Sequence, residues 1–339
     1  MELTDIFMSN LFSTTSLTTT VNEMPYVPGN LGGMGIFAES GVTTLTVAIE
    51  KKGNTLSLIQ TSPRGAPAEE RVRAKRDMRD LRTSHLVKNV TIFADQVQGV
   101  RSFGGGPGDL ETVEAVFRQE AGLVLSEMDM TLENMRLGAV KGVITDADGS
   151  TIYNLFTEFG VSQLSEFDFE LDDAAIDVRA KCMQLRRLMT KELKMGNSMP
   201  GFKIHAVCSD EFFDGIISHA SVKTAWERWQ QGEALRTDYT YQQFEHGGIV
   251  FENYQTSDDD TVGVTANKAH FFPSNVPGLF KTVYSPADRV TTVNTLGLPR
   301  YAFPRMDDDQ NPRWIGAELQ SNPLCFCTRP RTLIKAKHH

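Results

Sequence analysis

Hydrophobic residues recur at three-, four- and seven-residue steps most persistently at Val113, Phe117, Val124, Met128, Leu132, Met135 and Ala139. That spacing is one face of an α-helix and predicts a helix over 110–141. Asp109 is its N-cap after Gly104-Gly105-Gly106-Pro107-Gly108, Glu111 and Glu114 suit the positive end of the dipole, and Lys141 and Gly142 close the other end. Such a rod is roughly 48 Å long, well beyond the average helix of about 12 residues. The stripe has gaps at Glu120 and Thr131 and lacks charged flanks in heptad register, which argues against a coiled coil. A second amphipathic helix is predicted over 173–195, with Val178, Cys182, Leu185, Met189 and Leu193 on one face, Asp172 or Asp173 as cap and Gly196-Asn197 as stop.

A period of two marks the strands. Leu45, Val47 and Ile49, a turn at Lys51-Lys52-Gly53-Asn54, then Leu56 and Leu58 predict a hairpin over 42–60. A further β-like run covers Val90–Phe93. Val143-Ile144-Thr145 and Ile152–Phe156, joined by Asp146-Ala147-Asp148-Gly149, predict a hairpin over 142–156. Phe202–Cys208 and Gly247–Tyr254 read as strands, and short strands alternate with Pro- and Gly-marked turns beyond Ser257–Asp260. The class is mixed α+β. Residues 1–40, rich in Thr, Asn, Pro and Gly, read as an arm with no core of its own that orders on a neighbour.

Charge is unevenly placed. The chain of 339 residues carries a net −9, yet Arg71, Arg73, Lys75, Arg76, Arg79 and Arg82 crowd one short stretch with only Asp77 and Asp80 among them. A basic tip between extended runs predicts a projecting loop that grips something negative, either nucleic acid or the acidic flank of another copy. A sequence pI near 5.4 argues against a dedicated nucleic-acid binder. No apolar run approaches the ~20 residues of a membrane span, and no signal peptide is apparent. Cys182, Cys208, Cys325 and Cys327 are too scattered for a disulfide framework and read as reduced thiols.

Short motifs do not add up to chemistry. Gly33-Met34-Gly35-Ile36-Phe37-Ala38 matches the dinucleotide fingerprint in letters, but prolines precede it and a β pattern follows. Asp146–Gly149 puts Ile144 and Leu155 where a calcium loop needs oxygen donors. Cys325 and Cys327 share a strand face without two further zinc ligands. Ser209, Asp210 and His219 are close in sequence, but helix capping accounts for Ser209. The runs Asp258–Asp260 and Asp307–Asp309 read as solvated loops, Trp226 and Trp229 as core or subunit contact, and His338-His339 as a solvated tail. No catalytic, cofactor or metal site is nominated.

Longer strings carry more. Leu58–Pro67, Arg76-Asp77-Met78-Arg79, Ala94–Gly104, Asn294–Ala302, Glu318–Cys325 and Thr328-Arg329-Pro330 resemble the lambda-type major capsid proteins of tailed bacteriophages, the phage major capsid protein E family. The resemblance runs from about residue 10 to 336. It implies the Hong Kong 97-like phage capsid fold. The parts would be an N-terminal arm (1–40), an extended loop (41–104), a peripheral domain with a long spine helix (105–170 and 306–339, helix 110–141) and an axial domain (171–305). It further implies pentamers and hexamers in an icosahedral shell around double-stranded DNA, assembled in the host bacterial cytoplasm. Its partners would be a separate scaffolding protein, a portal and a decoration protein. Some relatives join neighbours through a Lys–Asn bond; Lys75 and Asn322 match no such motif. On this reading the basic residues at 71–82 face carboxylates of a neighbouring copy, with Glu111, Glu114, Glu120 and Glu127 as candidates. The alternative is a nucleic-acid-binding module using the same arm.

Overall fold

The computed structural model describes residues 14–24, 29–51, 77–97, 113–193, 202–223, 243–254, 262–307 and 313–339. In chain order the elements are α1 (Thr14–Glu23), α2 (Asn30–Gly33), β1 (Phe37–Gly41), β2 (Thr46–Lys51), β3 (Asp77–Arg82), β4 (Leu86–Phe93), α3 (Ala94–Val97) and the long α4 (Val113–Lys141). There follow β5 (Val143–Thr145), β6 (Thr151–Asn154), α5 (Leu155–Glu158), β7 (Phe167–Asp168), α6 (Val178–Leu193), β8 (Lys203–Cys208) and α7 (Asp210–Ser218). The rest is strand: β9 (Gln243–His246), β10 (Ile249–Asn253), β11 (Lys268–Ser274), β12 (Phe280–Tyr284), β13 (Tyr301–Met306), β14 (Trp314–Ser321), β15 (Pro323–Cys327) and β16 (Ile334–Lys337). Among the described residues no helix is long and apolar enough to cross a membrane.

These residues gather into two compact units. The first draws on Met1–Val47, Arg82–Leu137 and Phe280–Phe326. In it β14 runs antiparallel to both β13 and β4. One face of that sheet, with Val90, Ile92, Ala302, Ala317 and Leu319, packs on Phe117, Ala121, Val124, Leu125 and Met128 of α4. The helical stripe read from the sequence is buried at each described side chain, Phe117, Val124, Met128, Leu132, Met135 and Ala139, while Glu120 faces solvent. A second sheet of order β1–β12–β15 has β1 parallel to β12, with the Phe37 and Phe280 rings 5.2 Å apart.

Helix α4 stops where Gly142 turns to φ +83°, a conformation that strains any other residue. A Cβ there would also lie 2.4 Å from the Phe156 ring. The expected hairpin follows as β5 and β6, but Leu155 and Phe156 leave it for α5, because the Asn154 side chain accepts from Phe156 N and Thr157 N and starts a helical turn.

The second unit draws on Ala48–Leu81, Gly138–Leu279 and Cys327–His339. Its six-stranded sheet has the order β7–β16–β11–β8–β10–β9 and mixes parallel and antiparallel pairs. Alternate residues Ile204, Ala206, Cys208, Phe251, Ala269, Phe271, Ile334 and Ala336 meet Phe212, Phe213 and Ile216 of α7 in one core. The α6 face joins it with all five predicted residues, Val178, Cys182, Leu185, Met189 and Leu193. The helix itself begins later than expected. Asp177 accepts from Arg179 N at 2.9 Å and caps it, whereas Asp173 closes a preceding turn on Ala175 N.

Two further expectations are corrected, those for the arm and for His338. The arm does pack: Leu17 and Val21, four apart, are buried by α1 in the first unit's core, and fully burying such side chains stabilises by roughly 1.5–3 kcal/mol each. Helical spacing there overrides the weak helix propensity of a Thr-rich run. β2 pairs with β3; residues 56–58, its expected hairpin partner, lie outside the described residues. His338 is tied down, its N–H on Asn267 O and its carbonyl accepting from Leu171 N. The strand pairs set which segments each unit draws on. Residues 138–170 and 327–339 belong with the six-stranded sheet because β16 pairs with β11 and β7, and 280–305 belong with α4 because β12 pairs with β1 and β13 with β14.

Candidate assembly surface

The spine helix carries a second stripe that the hydrophobic pattern hid. Asp129, Glu133 and Arg136 each follow a stripe residue by one position, so they line a face turned about 100° from it, and all three are buried. Each holds a different piece of the first unit. Arg300 Nη2 lies 2.7 Å from both carboxylate oxygens of Asp129, while its Nη1 donates to Val21 O at the end of α1. Glu133 accepts from the N–H groups of Leu31 (2.6 Å) and Gly32 (3.1 Å) in α2. Arg136 donates to Glu39 of β1 at 2.6 Å and lies over the Phe37 ring. Three charges on one helix thus fix α1, α2 and β1. Spacing alone does not distinguish a buried charged stripe from a solvated one, and the partners are 97 to 171 residues away in sequence.

The expected contact residues are placed as follows. Arg71, Arg73, Lys75, Arg76 and Glu111 lie outside the described residues, and Glu114 is in α4. Arg79 is exposed on β3 and bonds within its own chain, to Thr157 O at 3.3 Å and beside Glu158 at 4.0 Å. Arg82 ends β3 exposed. Glu120 is exposed on α4, and Glu127 pairs with Lys88 of β4. Lys88 shares the sheet face of Val90 and Ile92, which aims it at the helix. Asn322 is buried, its amide bonded to Pro286 O and its carbonyl oxygen to His85 and Gln320.

The short motifs have structural employment. In Gly33–Ala38 a helical turn precedes and a strand follows, the reverse of a dinucleotide site. Asp146 and Asp148 accept from Ala147 N and Ser150 N within the turn. Ser209 caps α7, and the His219 ring faces Ser221 and Asp173 O. The four cysteines are free and buried, and burial pushes the Cys182 and Cys327 thiols up to about 12 and Cys325 to about 11. Among the described residues no three His, Cys, Asp or Glu side chains group to hold a metal ion.

A unit with a long helix backing an antiparallel sheet, together with an α/β unit of six strands, makes an α+β architecture of the Hong Kong 97-like capsid type. A crystal structure of a prophage protein from E. coli CFT073, described as a capsid protein, shares the fold with a TM-score of 0.56 at 11% identity, over 96% of this chain and 99% of that one. The model of the family described as phage major capsid protein E matches residues 13–338, and the chain belongs to that family. It is 27% identical to the major capsid protein of Salmonella phage Felix O1, with 96% of each chain covered. It is also 27% identical to that of Pseudomonas phage KPP10, over 97% of this chain and 98% of the other. The family assignment makes this a structural protein of the phage capsid and favours that reading over a nucleic-acid-binding module built on 71–82.

Proposed function

We propose that this chain assembles as pentamers and hexamers into the icosahedral head shell that encloses the double-stranded DNA of a tailed phage. The observation that carries this reading is a family match spanning residues 13–338 rather than a fragment. The unit built on α4 serves as the peripheral domain and the six-stranded unit as the axial domain, with β2 and β3 both part of the extended loop. The loop's Arg71, Arg73, Lys75, Arg76, Arg79 and Arg82 meet carboxylates of a neighbouring copy, among them Glu111, Glu114, Glu120 and Glu127. In support, Arg82 and Glu120 are exposed, and Arg79 and Glu127 keep about half their side-chain surface open beside their in-chain partners. Each exposed pair contributes only ~0.2–1 kcal/mol, so the contact gains strength by repetition around a closed shell. A net charge of −9 keeps packed DNA from adhering to the wall. Scaffolding, portal and decoration proteins complete the assembly in the host bacterial cytoplasm. Negative-stain microscopy of the expressed protein, alone and with its scaffold, tests this: regular closed particles are expected. Small monomers under every condition, together with tight, salt-sensitive DNA binding, would overturn it.

A further inference from the structure

The connection from β12 to β13 is built inside out. Surface loops normally turn polar groups to water. Here Val290, Val293, Leu296 and Leu298 are exposed by 92%, 62%, 63% and 42%, while the polar groups serve the loop itself. Thr292 Oγ1 donates to Ala287 O at 2.7 Å and Thr295 Oγ1 to Thr292 O at 2.7 Å. Leu298 N donates to the Tyr301 hydroxyl, and Ser321 Oγ to Pro299 O. Gly297 N donates to Val42 O, and a Cβ on Gly297 would lie 2.1 Å from Tyr284 O, so the loop is seated directly on neighbouring backbone. A crest held this firmly loses little conformational freedom on docking.

Charge points to the occupant. No Asp, Glu, Lys or Arg occurs from Val290 to Pro299, in a chain whose net charge is −9. The flanking Arg289 is neutralised by Glu318 at 2.6 Å and Arg300 by Asp129, and no charged residue lies between them, so the crest is apolar and electrically neutral. Two copies of an acidic chain repel over most of their surface, and here they can close without juxtaposing carboxylates. DNA would need uncompensated cations, which these two arginines do not supply. Resting on the shell reading above, we propose that the crest Val290–Val293–Leu296–Leu298 is a copy-to-copy contact, buried against a second copy of this chain when the shell forms.

Two variants of the full chain test this. The double substitution Val290→Asp with Leu296→Asp is expected to leave the subunit's thermal melt unchanged and to raise the concentration needed for assembly at least about tenfold, the effect of placing charges in a buried apolar contact. Val290→Cys gives a single reactive thiol, because the four native cysteines are buried. Maleimide should label it in free subunits and be excluded from it in particles. Assembly of the double variant at the parent's concentration, or labelling of particles at the free-subunit rate, would overturn the crest contact while leaving the shell intact. Failure of the parent chain to form particles would overturn the shell reading and this one with it.

Discussion

Each unit contains three acidic or basic side chains in regular register, and the two sets differ in one respect. On α4 of the first unit, Asp129, Glu133 and Arg136 are buried and hold α1, α2 and β1. In the second unit, Glu166, Asp168 and Glu170 alternate with Phe167 and Phe169 around β7 and face lysines: Lys268 and Lys335 on Glu166, Lys337 on Asp168 and Lys181 on Glu170. These acids keep about a third to a half of their side-chain surface in water. The comparison teaches that environment, more than the number of ion pairs, sets what a charged stripe is worth. A buried pair has already lost its hydration, so removing one member strands the other; an exposed pair falls back on water.

The largest expected effect breaks the buried stripe. Asp129→Ala leaves the Arg300 guanidinium buried without its carboxylate and should destabilise the first unit by about 3–5 kcal/mol. It would be read as a lower urea midpoint and early proteolysis in α1. Replacing both partners with apolar residues, Asp129→Leu with Arg300→Met, should recover most of that loss, because no charge is left stranded. If Asp129→Ala shifts the midpoint no more than a surface variant in the second unit, burial does not decide the difference.

An intermediate effect sharpens the comparison from within the second unit. His270 of β11 is buried, and burial together with the charges of Lys141, Lys335 and Lys268 lowers its pKa from 6.5 to about 3. The folded state therefore binds fewer protons than the unfolded chain between those values, so stability rises with pH through that window. It is complete above about pH 6.5 and falls, on the order of a few kcal/mol, as the pH drops toward 3. Thermal melts of the parent and of His270→Gln from pH 7 to 4.5 should diverge in slope, the parent losing stability and the variant much less. Equal slopes would show that His270 is charged in the fold.

Local periodicity was legible wherever one face is apolar and the other polar. The stripes of α4 and α6 are buried as their spacing requires, and Gly142 ends α4 as read. What the pattern could not supply is long-range pairing. The partner of β2 is β3, in the second half of the basic stretch, and Leu17 and Val21 find their core on strands far along the chain. The charges at 71–82 stand out in the sequence because they are dense, yet those that organise the first unit are sparse. Asp129, Glu133 and Arg136 read as an ordinary solvated flank until Arg300, α2 and Glu39 are brought against them. The crest at Val290–Leu298 leaves no pattern in the sequence, because scattered aliphatics in a turn-rich segment show no period.

The smallest expected effect tests the exposed stripe directly. Glu166 Oε1 lies 2.7 Å from Lys268 Nζ and 3.5 Å from Lys335 Nζ, and the hydrogen bond from Lys268 is the chief reason its carboxyl stays below the ordinary range. Glu166→Gln should cost no more than about 1 kcal/mol at neutral pH and low salt, and less as salt screens the pair. A carboxylate with a depressed pKa contributes above its unfolded value and loses that contribution as pH falls through its folded one, so variant and parent should converge in acid. The two lysines left without Glu166 are also among those that keep His270 neutral. Their charge helps keep His270 neutral in the fold down to about pH 3, so removing the acid leaves the His270 contribution to the slope between pH 6.5 and 4.5 unchanged. Urea midpoints of Glu166→Gln at pH 7 and pH 4.5, in low and high salt, read both effects. A loss at pH 7 as large as that of Asp129→Ala would mean that exposed and buried stripes are worth the same, and the contrast between the two units would fail.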